Sequence, residues 1–398
     1  MRENPTRPTP HSPAAHAKMR TREAKWRRQK KSRRRRWIVW SVIVTVLLVV
    51  AIVLVSERGF NMFFAPDTGV FNRQEQIATP TFIGDNRKEG VYNILVIGHD
   101  RVAMNTDVLM ICTFDGNNKT ASIAQIPRDT YVDTVKVNSL YSIGYHEAVN
   151  NGADAKEAEQ KGIENLIDSL QKAFSITIDR YVMMDLDGFS SIVDLIGGVD
   201  IDIPYTLKYS DPAQDLYIDF EAGVQHLNGE QAEQFVRFRE GYAEADLGRV
   251  NAQKLFLSAF FDKAKESLDI SSAMDIAKEV SAYTETSMSV ADMAYFIRYG
   301  LQLDAQKITT FTMPGIAARS RGNSGTWFYF TYRDDCIDLI NQYMNVYTEP
   351  VTVEQYDLCH FLTNYESDTM MGYFTTPRGT WNVYALDTVD QEVTIPQA

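Results

Sequence analysis

An unbroken run of 19 uncharged, mostly apolar residues, Trp37–Val55, constrains this chain more than any other feature of its sequence. A helix that crosses the roughly 30 Å hydrocarbon core of a bilayer needs about 20 such residues. A cleaved signal peptide is the alternative, but its apolar stretch usually has about 7–15 residues and ends at a small-residue cleavage motif, which this sequence lacks. The sequence therefore predicts a retained transmembrane helix over residues 37–56.

Charge is distributed unevenly on the two sides of this segment. Residues 1–36 carry 14 lysines and arginines against two glutamates, whereas the rest of the chain carries 26 basic and 50 acidic residues. Basic residues beside a transmembrane helix stay in the cytoplasm. We therefore expect a basic, largely disordered cytoplasmic tail over residues 1–36 and a single-pass cell-membrane protein whose C-terminal part is extracellular. Topology and attraction to anionic lipid explain the basic run, so no nucleic-acid partner is predicted.

The extracellular part has the pattern of a layered α/β fold. At 44% hydrophobic and 23% charged residues, the chain is too apolar for a disordered protein, and its three cysteines without C-x-x-C spacing exclude a disulfide framework and a structural zinc site. Strands alternating with helices indicate an α/β domain. We expect a stalk or lead-in over residues 57–90, the folded domain over 91–348, and a tail of unknown role over 349–398.

Apolar periodicity and turn formers predict the individual elements. Strands are expected at Tyr92–Ile97, Val108–Phe114 and Thr120–Ile126, the last two as a hairpin, and a helical stripe runs from Ile163 to Phe174. The elements expected after these are a strand over Arg180–Asp185, a helix over Phe189–Ile196, a strand over Val199–Pro204, a helix capped by Asn228 with Gln231, and a long helix over 249–267.

The first candidate site lies between the predicted strands. The hairpin geometry places Asp100, Asp107 and Arg128 at one edge of the sheet. Two carboxylates supply oxygen ligands for Mg²⁺, and an arginine beside them is a bidentate clamp for phosphate. The alternative is structural: the aspartates serve as turn and cap residues, and Arg128 with Asp129 forms a solvated surface pair.

The second candidate site is rich in arginine. Residues Val236–Arg239 alternate as in a strand, which would place Arg237 and Arg239 on one face. Asp246 and Arg249 follow at a predicted helix start, where amide donors favour an anion. An anionic ligand explains these arginines; ion pairs with Glu233, Glu240, Glu244 and Asp246 explain them equally well.

In their order along residues 92–265, these stretches resemble the LytR-CpsA-Psr family of Gram-positive cell-envelope proteins. The resemblance rests on Asn93–Arg101, Thr106–Asp107, Ile126–Tyr131, Lys136–Asn138, Asp187–Phe189, Ile196–Pro204, Leu227–Ala232, Val236–Arg239, and Asp246–Val250 with Gln253. It implies an α/β/α sandwich with a central mixed β-sheet and an apolar tunnel for a polyprenyl chain. It also implies a Mg²⁺-dependent phosphotransferase that moves a glycopolymer, such as teichoic acid or capsule, from undecaprenyl pyrophosphate to peptidoglycan through a phosphodiester bond.

The resemblance also assigns residue roles by position. Asp100 and Asp107 are similar to the metal-associated carboxylates, and either is the expected base for the acceptor hydroxyl. The catalytic set is Asp100, Asp107, Arg128 and Arg249, and the pyrophosphate-binding set is Arg128, Arg237, Arg239, Arg249 and Gln253.

The sequence departs from the family pattern at three positions. Asn105 and Ala252 stand where arginines are common, and His99 stands where valine is usual. The two missing arginines leave open a non-catalytic lipid-pyrophosphate-binding or regulatory role, and transfer to water instead of a glycan would make the protein a hydrolase. His99 is either an added acid or base or a structural residue.

Overall fold

The computed structural model describes residues 86–100, 104–211, 216–238, 245–319, 326–356 and 383–388. The predicted cytoplasmic tail and membrane segment lie outside these residues, as does most of the predicted lead-in. Among the helices of the described ranges, none combines the length and apolarity that crossing a bilayer requires.

The described elements follow one another as strands and helices along the chain. The strands are β1 (Val91–Asp100), β2 (Asn105–Asp115), β3 (Thr120–Gln125), β4 (Tyr131–Val132), β5 (Val135–Lys136), β6 (Arg180–Met184), β7 (Val199–Ile203), β8 (Leu207–Asp211), β9 (Leu216–Phe220), β10 (Gly223–Leu227), β11 (Glu285–Thr286), β12 (Ile308–Thr312), β13 (Gly315–Arg319), β14 (Trp327–Thr331) and β15 (Val383–Ala385). The α-helices are α1 (Leu140–Asn150), α2 (Ala155–Phe174), α3 (Leu186–Leu195), α4 (Gly229–Arg237), α5 (Ala245–Ser267), α6 (Ala273–Ser281), α7 (Val290–Gln302) and α8 (Arg333–Tyr343).

A seven-stranded mixed sheet forms the centre of the fold, in the order β11-β6-β1-β2-β3-β12-β15. The predicted hairpin is present: β2 and β3 pair antiparallel, with Met110 opposite Gln125 and Asp115 opposite Thr120. β1 pairs parallel with β6, and β3 pairs parallel with β12. The predicted α/β architecture with a central mixed sheet and flanking helices is therefore confirmed.

One face of this sheet, here called the packed face, is fully covered. Helices α1, α2 and α8 pack on it, and the predicted stripe of α2 from Ile163 to Phe174 is buried there. Leu109 and Ile111 of β2, which point to this face, are at most 1% exposed. Because apolar burial is the main favourable term in folding, this layer is the principal stabilising core.

The opposite face, here called the half-buried face, is covered less completely. Along β2 the side chains that alternate with the packed ones, those of Val108, Met110, Cys112 and Phe114, are only partly buried. α5 contributes Leu255, Leu257 and Phe261 to the apolar cluster beside Phe114. The two faces of the same strand thus differ in how tightly they are covered.

A second core lies on the side of α5, separate from the packed face. It joins α3, α4 and α5 to two antiparallel strand pairs, β7 with β10 and β8 with β9. Phe235 of α4 and Ala252 of α5 are completely buried in it. The ring of Phe256 on α5 lies 5.0 Å from that of Phe189 on α3.

The start of α4 confirms one sequence prediction, and its end corrects another. The Asn228 side chain accepts a hydrogen bond from the Gln231 amide at 2.9 Å, and the Gln231 side chain accepts one from the Asn228 amide at 3.1 Å, which is the predicted capping box. The strand predicted over Val236–Arg239 is wrong, because α4 continues to Arg237. Helical spacing buries Ala232 and Phe235 on one side of α4, and this packing overrides the short two-residue alternation.

Residues on both sides of the predicted 91–348 domain contact it. Arg87, ahead of β1, bonds to the buried Asp179 at 2.7 Å and forms an isolated bridge with Tyr347. At the other end, β15 pairs with the outer edge of β12, and Leu386 is buried in the cluster beside α5.

Candidate active site

Asp107 and Arg128 meet at the edge of the central sheet. Their side chains form an ion pair, with 2.7 Å between Arg128 Nη1 and Asp107 Oδ1. The arginine is 21% exposed and the aspartate 43%, so the pair is open to a ligand on the aspartate side. The structure therefore joins two of the predicted site residues that are 21 positions apart in sequence.

A β-bulge determines where Asp107 lies. Gly98 pairs with Val108 and His99 with Thr106. Asp107 is therefore the extra residue of the bulge, with no residue of β1 directly opposite it. Such bulges redirect a side chain and are common beside active sites. A Cβ at Gly98 would lie 2.9 Å from Val108 Cβ, so a glycine is needed for the two strands to approach this closely.

Asp100 ends β1 opposite Asn105, two residues before Asp107 on the partner strand. The backbone therefore places both predicted metal-associated aspartates at the same end of the β1–β2 pair. The side chain of Asp100 lies outside the described residues, and so does that of Arg249.

The turn that carries Arg128 is held from three directions. The Thr130 amide donates to the Pro127 carbonyl at 2.9 Å, and Lys136 Nζ pairs with Asp129 Oδ1 at 2.9 Å. The Tyr329 amide of β14 donates to the Asp129 carbonyl at 2.8 Å. These contacts limit the conformations of the arginine, which reduces the ordering cost of binding an anion.

Gln253, the fourth predicted site residue with a described position near this edge, reaches it from α5. Its side-chain oxygen accepts a hydrogen bond from the Gln125 side chain, which is buried at the end of β3. Sequence reasoning missed Gln125. The available signal was an amide side chain ending an otherwise apolar strand, three residues before Arg128.

The arginine-rich segment is divided between helix ends and undescribed residues. Arg237 is the last residue of α4 and pairs with Glu233 at 2.7 Å, which is the ion-pair alternative stated for this segment. Ser190 of α3 donates to the same glutamate at 3.3 Å. Arg249 lies in the first turns of α5, as predicted for its helix position, and Arg239 lies outside the described residues.

The three departures from the family pattern have distinct surroundings. Ala252 is completely buried in the second core, so a longer side chain there would have to displace apolar neighbours. Asn105 pairs with Asp100 at the strand end. The ring of His99 is 7% exposed and packs 4.6 Å from that of Tyr141.

A buried lysine follows Gln253 on α5. The side chain of Lys254 is 4% exposed, and its ammonium lies 5.4 Å from the ring centroid of Tyr384 on β15. Burial lowers the pKa of Lys254 to about 8, because the charged form loses its hydration. This residue was not singled out from the sequence, since nothing local distinguishes it from a surface lysine.

The chemistry of the donor set fits Mg²⁺. Asp107 presents carboxylate oxygen at the end of the β1–β2 pair where the backbone of Asp100 also lies, and Mg²⁺ is typically held by one or two carboxylates, waters and substrate phosphates. Within the described ranges no cluster of three or more histidine, cysteine, aspartate or glutamate side chains forms a complete protein cage for a metal. A site of this type depends on the ligand's own oxygens to complete the metal's coordination.

Comparisons with known proteins match the same region of the chain. The model of the LytR_cpsA_psr family matches residues 67–344. The chain is 29% identical over 242 residues to the polyisoprenyl-teichoic acid–peptidoglycan teichoic acid transferase TagV of Bacillus subtilis, an alignment that covers 57% of this chain and 58% of TagV. It is 25% identical over 249 residues to the similarly named TagU of Bacillus mycoides, covering 60% of this chain and 73% of TagU.

Solved structures share the fold. The crystal structure of B. subtilis TagV superposes with a TM-score of 0.52 at 25% identity, covering 68% of this chain and 98% of that one. A Streptococcus agalactiae protein superposes with a TM-score of 0.54 at 18% identity, covering 70% of this chain and 96% of the other. The family match spans well over half of the chain and includes the bulge, the arginine turn and the glutamine on α5. The chain belongs to the LytR-CpsA-Psr family.

Proposed function

We propose that this protein is a glycopolymer–peptidoglycan phosphotransferase of cell-wall biogenesis. The observation that carries the proposal is the Arg128–Asp107 pair, built on a β-bulge and joined at the same sheet edge by Gln125 and Gln253. The names of TagV and TagU describe transfer of teichoic acid from a polyisoprenyl carrier to peptidoglycan. The proposed donor is an undecaprenyl-pyrophosphate-linked glycopolymer, and the proposed acceptor is a peptidoglycan hydroxyl.

The reaction replaces the phosphoanhydride bond of the carrier pyrophosphate by a phosphodiester bond to the acceptor. The acceptor oxygen bonds to the phosphorus that carries the polymer, the bridging bond to the second phosphate breaks, and the carrier leaves as its monophosphate. The proton of the acceptor hydroxyl passes to a carboxylate, and Asp107 or Asp100 serves as that base. Phosphoryl transfer depends mainly on charge neutralisation and in-line positioning.

Arg128 provides fixed positive charge for this step. Its guanidinium is held by the Asp129 turn and binds non-bridging phosphate oxygens while one nitrogen stays on Asp107. Arg249, on α5, and Arg239 are proposed to add positive charge, and Gln253 to orient a phosphate oxygen. Mg²⁺, held by Asp107 and Asp100, would supply further charge neutralisation when bound.

The half-buried face of the sheet suits the carrier lipid. Its partly covered side chains, including Val96, Met110 and Cys112, are apolar and lie on the two strands that lead to Asp107. A polyprenyl chain laid on this face would remove apolar area from water. Residues 37–56 are proposed as the membrane anchor that keeps the extracellular site near the carrier and so raises its effective concentration.

The test uses the purified full chain in detergent with a polyprenyl-pyrophosphate glycan, MgCl₂ and peptidoglycan oligomers. Formation of a phosphodiester-linked product supports the proposal. Release of glycan phosphate without coupling would make the protein a hydrolase. Tight donor binding without turnover would leave a regulatory role and refute catalysis. Omission of Mg²⁺ or addition of a chelator tests the metal separately, and unchanged transfer would refute its role.

A further inference from the structure

One exposed tryptophan lies on the strand that holds the Arg128 turn in place. Trp327 begins β14, and its side chain is 51% exposed, whereas the four residues that follow it on the strand are buried. Tryptophan combines a large rigid apolar surface with one N–H donor. Its position, more than its exposure, distinguishes it from other surface aromatics.

The β13–β14 hairpin is fixed to the segment after Arg128. Thr130 forms a parallel bridge with Tyr329, next to the hydrogen bond between the Tyr329 amide and the Asp129 carbonyl. Tyr131 packs edge-on against Phe328, with 5.0 Å between the ring centroids. Backbone pairing and aromatic packing thus connect the hairpin to the candidate active site.

This bridge sets the placement of Trp327. The two paired segments run in the same direction, and Trp327 and Arg128 each precede the bridge by two residues. Each is therefore within about 7 Å of the bridge along its own segment. The bridge thus links the strand that carries Trp327 to the turn that carries Arg128.

We propose that Trp327 binds a sugar ring of the acceptor glycan. The inference rests on the proposed function. That function requires a residue that positions a sugar hydroxyl opposite the phosphate at Arg128, and Trp327 would take this role. The flat indole face matches the C–H face of a pyranose. A single tryptophan offers far less than the roughly 1,000 Å² that a specific protein interface buries.

The test measures glycan binding without donor and without turnover. Soluble peptidoglycan glycan strands, stripped of wall polymer, are titrated into the detergent-solubilised full chain. Trp327→Ala is expected to weaken this binding about five- to tenfold, the scale of one lost aromatic contact. Trp327→Tyr should retain most of the affinity. Tyr217→Ala is the matched control, because Tyr217 is 54% exposed on the β8–β9 hairpin, a sheet separate from β13–β14, and it should change nothing.

Three outcomes would overturn the inference. Equal glycan affinity in the wild type and Trp327→Ala is the first, and equal loss in Tyr217→Ala is the second. The third is a lipid contact: quenching of the Trp327 fluorescence by brominated phospholipid in proteoliposomes, obtained as the difference from Trp327→Phe, would assign the indole to the bilayer.

Failure of this inference is distinguishable from failure of the proposed function. A chain that binds glycan through Trp327 but transfers nothing refutes the phosphotransferase and keeps the glycan site. A chain that transfers polymer with the same acceptor KM in Trp327→Ala refutes the glycan site alone. Whichever of the two proposals fails, the affinity for the donor should be the same in the wild type and in Trp327→Ala.

Discussion

The packed and half-buried faces of the central sheet belong to the same strands yet differ in how they are covered. On β2, Leu109 and Ile111 are essentially inaccessible, whereas Met110 and Cys112, which alternate with them, are partly accessible. Three helices close the packed face, and the half-buried face leads towards Asp107 and Arg128. The difference indicates that the two faces have separate roles: the packed face stabilises the fold, and the half-buried face leaves room for a ligand.

This division follows from what each layer contains. The α2 side chains on the packed face repeat at helical spacing and fill the layer, so little area remains exposed. On the other side, α5 divides its side chains between the second core and the sheet, with Ala252 in the former and Leu257 beside the latter. A helix shared between two layers covers neither completely.

The largest expected effect tests whether buried contacts within the fold carry the stability. Asp179 is completely buried, bonded to Arg87 and to the Asn93 amide at 2.8 Å. Asp179→Ala should lower the free energy of unfolding by about 3–5 kcal/mol, because it leaves a partly buried guanidinium unpaired. Urea denaturation measures it. Asp275→Ala, at an 82%-exposed ion pair, should cost less than about 1 kcal/mol, and similar midpoints would contradict this expectation.

The next effect tests whether the site edge carries activity and not stability. Arg128→Ala should lower the turnover of polymer transfer about 10²–10³-fold, as expected for loss of a charge-stabilising donor. Its urea midpoint should stay close to that of the wild type, since Arg128 is paired at the surface of the sheet edge. Arg333→Ala removes another partly exposed, ion-paired arginine and should leave turnover unchanged. Wild-type turnover in Arg128→Ala would refute the site assignment.

A pair of truncations compares the two faces directly. Leu166→Ala on α2 removes a side chain with no exposure and should cost about 2–5 kcal/mol. Met110→Ala, on the half-buried face, should cost about 2 kcal/mol less, because its side chain is already partly in contact with solvent. Thermal and urea unfolding of both variants provide the measurement. Equal costs would mean that the half-buried face is packed as tightly as the other.

The last expected effect depends on pH and concerns charge on the side of α5. The pKa of Lys254 is lowered from 10.5 to about 8, so between these values the unfolded chain binds the proton that the folded chain has lost. The contribution of Lys254 to stability should therefore rise by up to about 3 kcal/mol as the pH increases from about 8 to 10.5. Lys254→Met should abolish this rise and add about 1–2 kcal/mol at pH 7.

Lys278→Met is the control for this prediction, because Lys278 is 64% exposed on α6. It should preserve the pH dependence of the wild type. A rise of equal size in Lys254→Met would assign the effect to other groups.

Sequence reasoning predicted elements whose determinants are local. The α2 stripe, the β2–β3 hairpin and the Asn228 capping box each depend on residues within one or two turns, and the structure has all three. The prediction of a strand at Val236–Arg239 was wrong. Two alternating residue pairs are a weak strand signal, and here they follow a capped helix whose Phe235 is fully buried.

The site was predicted in part, and the missing parts depend on long-range contacts. Hairpin geometry was enough to bring Arg128 to Asp107. No local pattern reveals that Gln125 faces Gln253 across 128 positions, or that β14 supports the Asp129 turn. The bulge at Asp107 is equally hidden, because it arises from the pairing of two strands and not from either one alone.

The last strand of the sheet has a consequence for biosynthesis. β15 covers the outer edge of β12, yet the ribosome adds it some 70 residues after that edge has been made. Until then, unpaired amides and carbonyls of Thr309 and Phe311 are available to a neighbouring nascent chain, which is how edge strands start aggregation. A chain released early, before residue 383, would keep that exposed edge permanently, so incomplete translation products should be cleared by proteases or accumulate as aggregates.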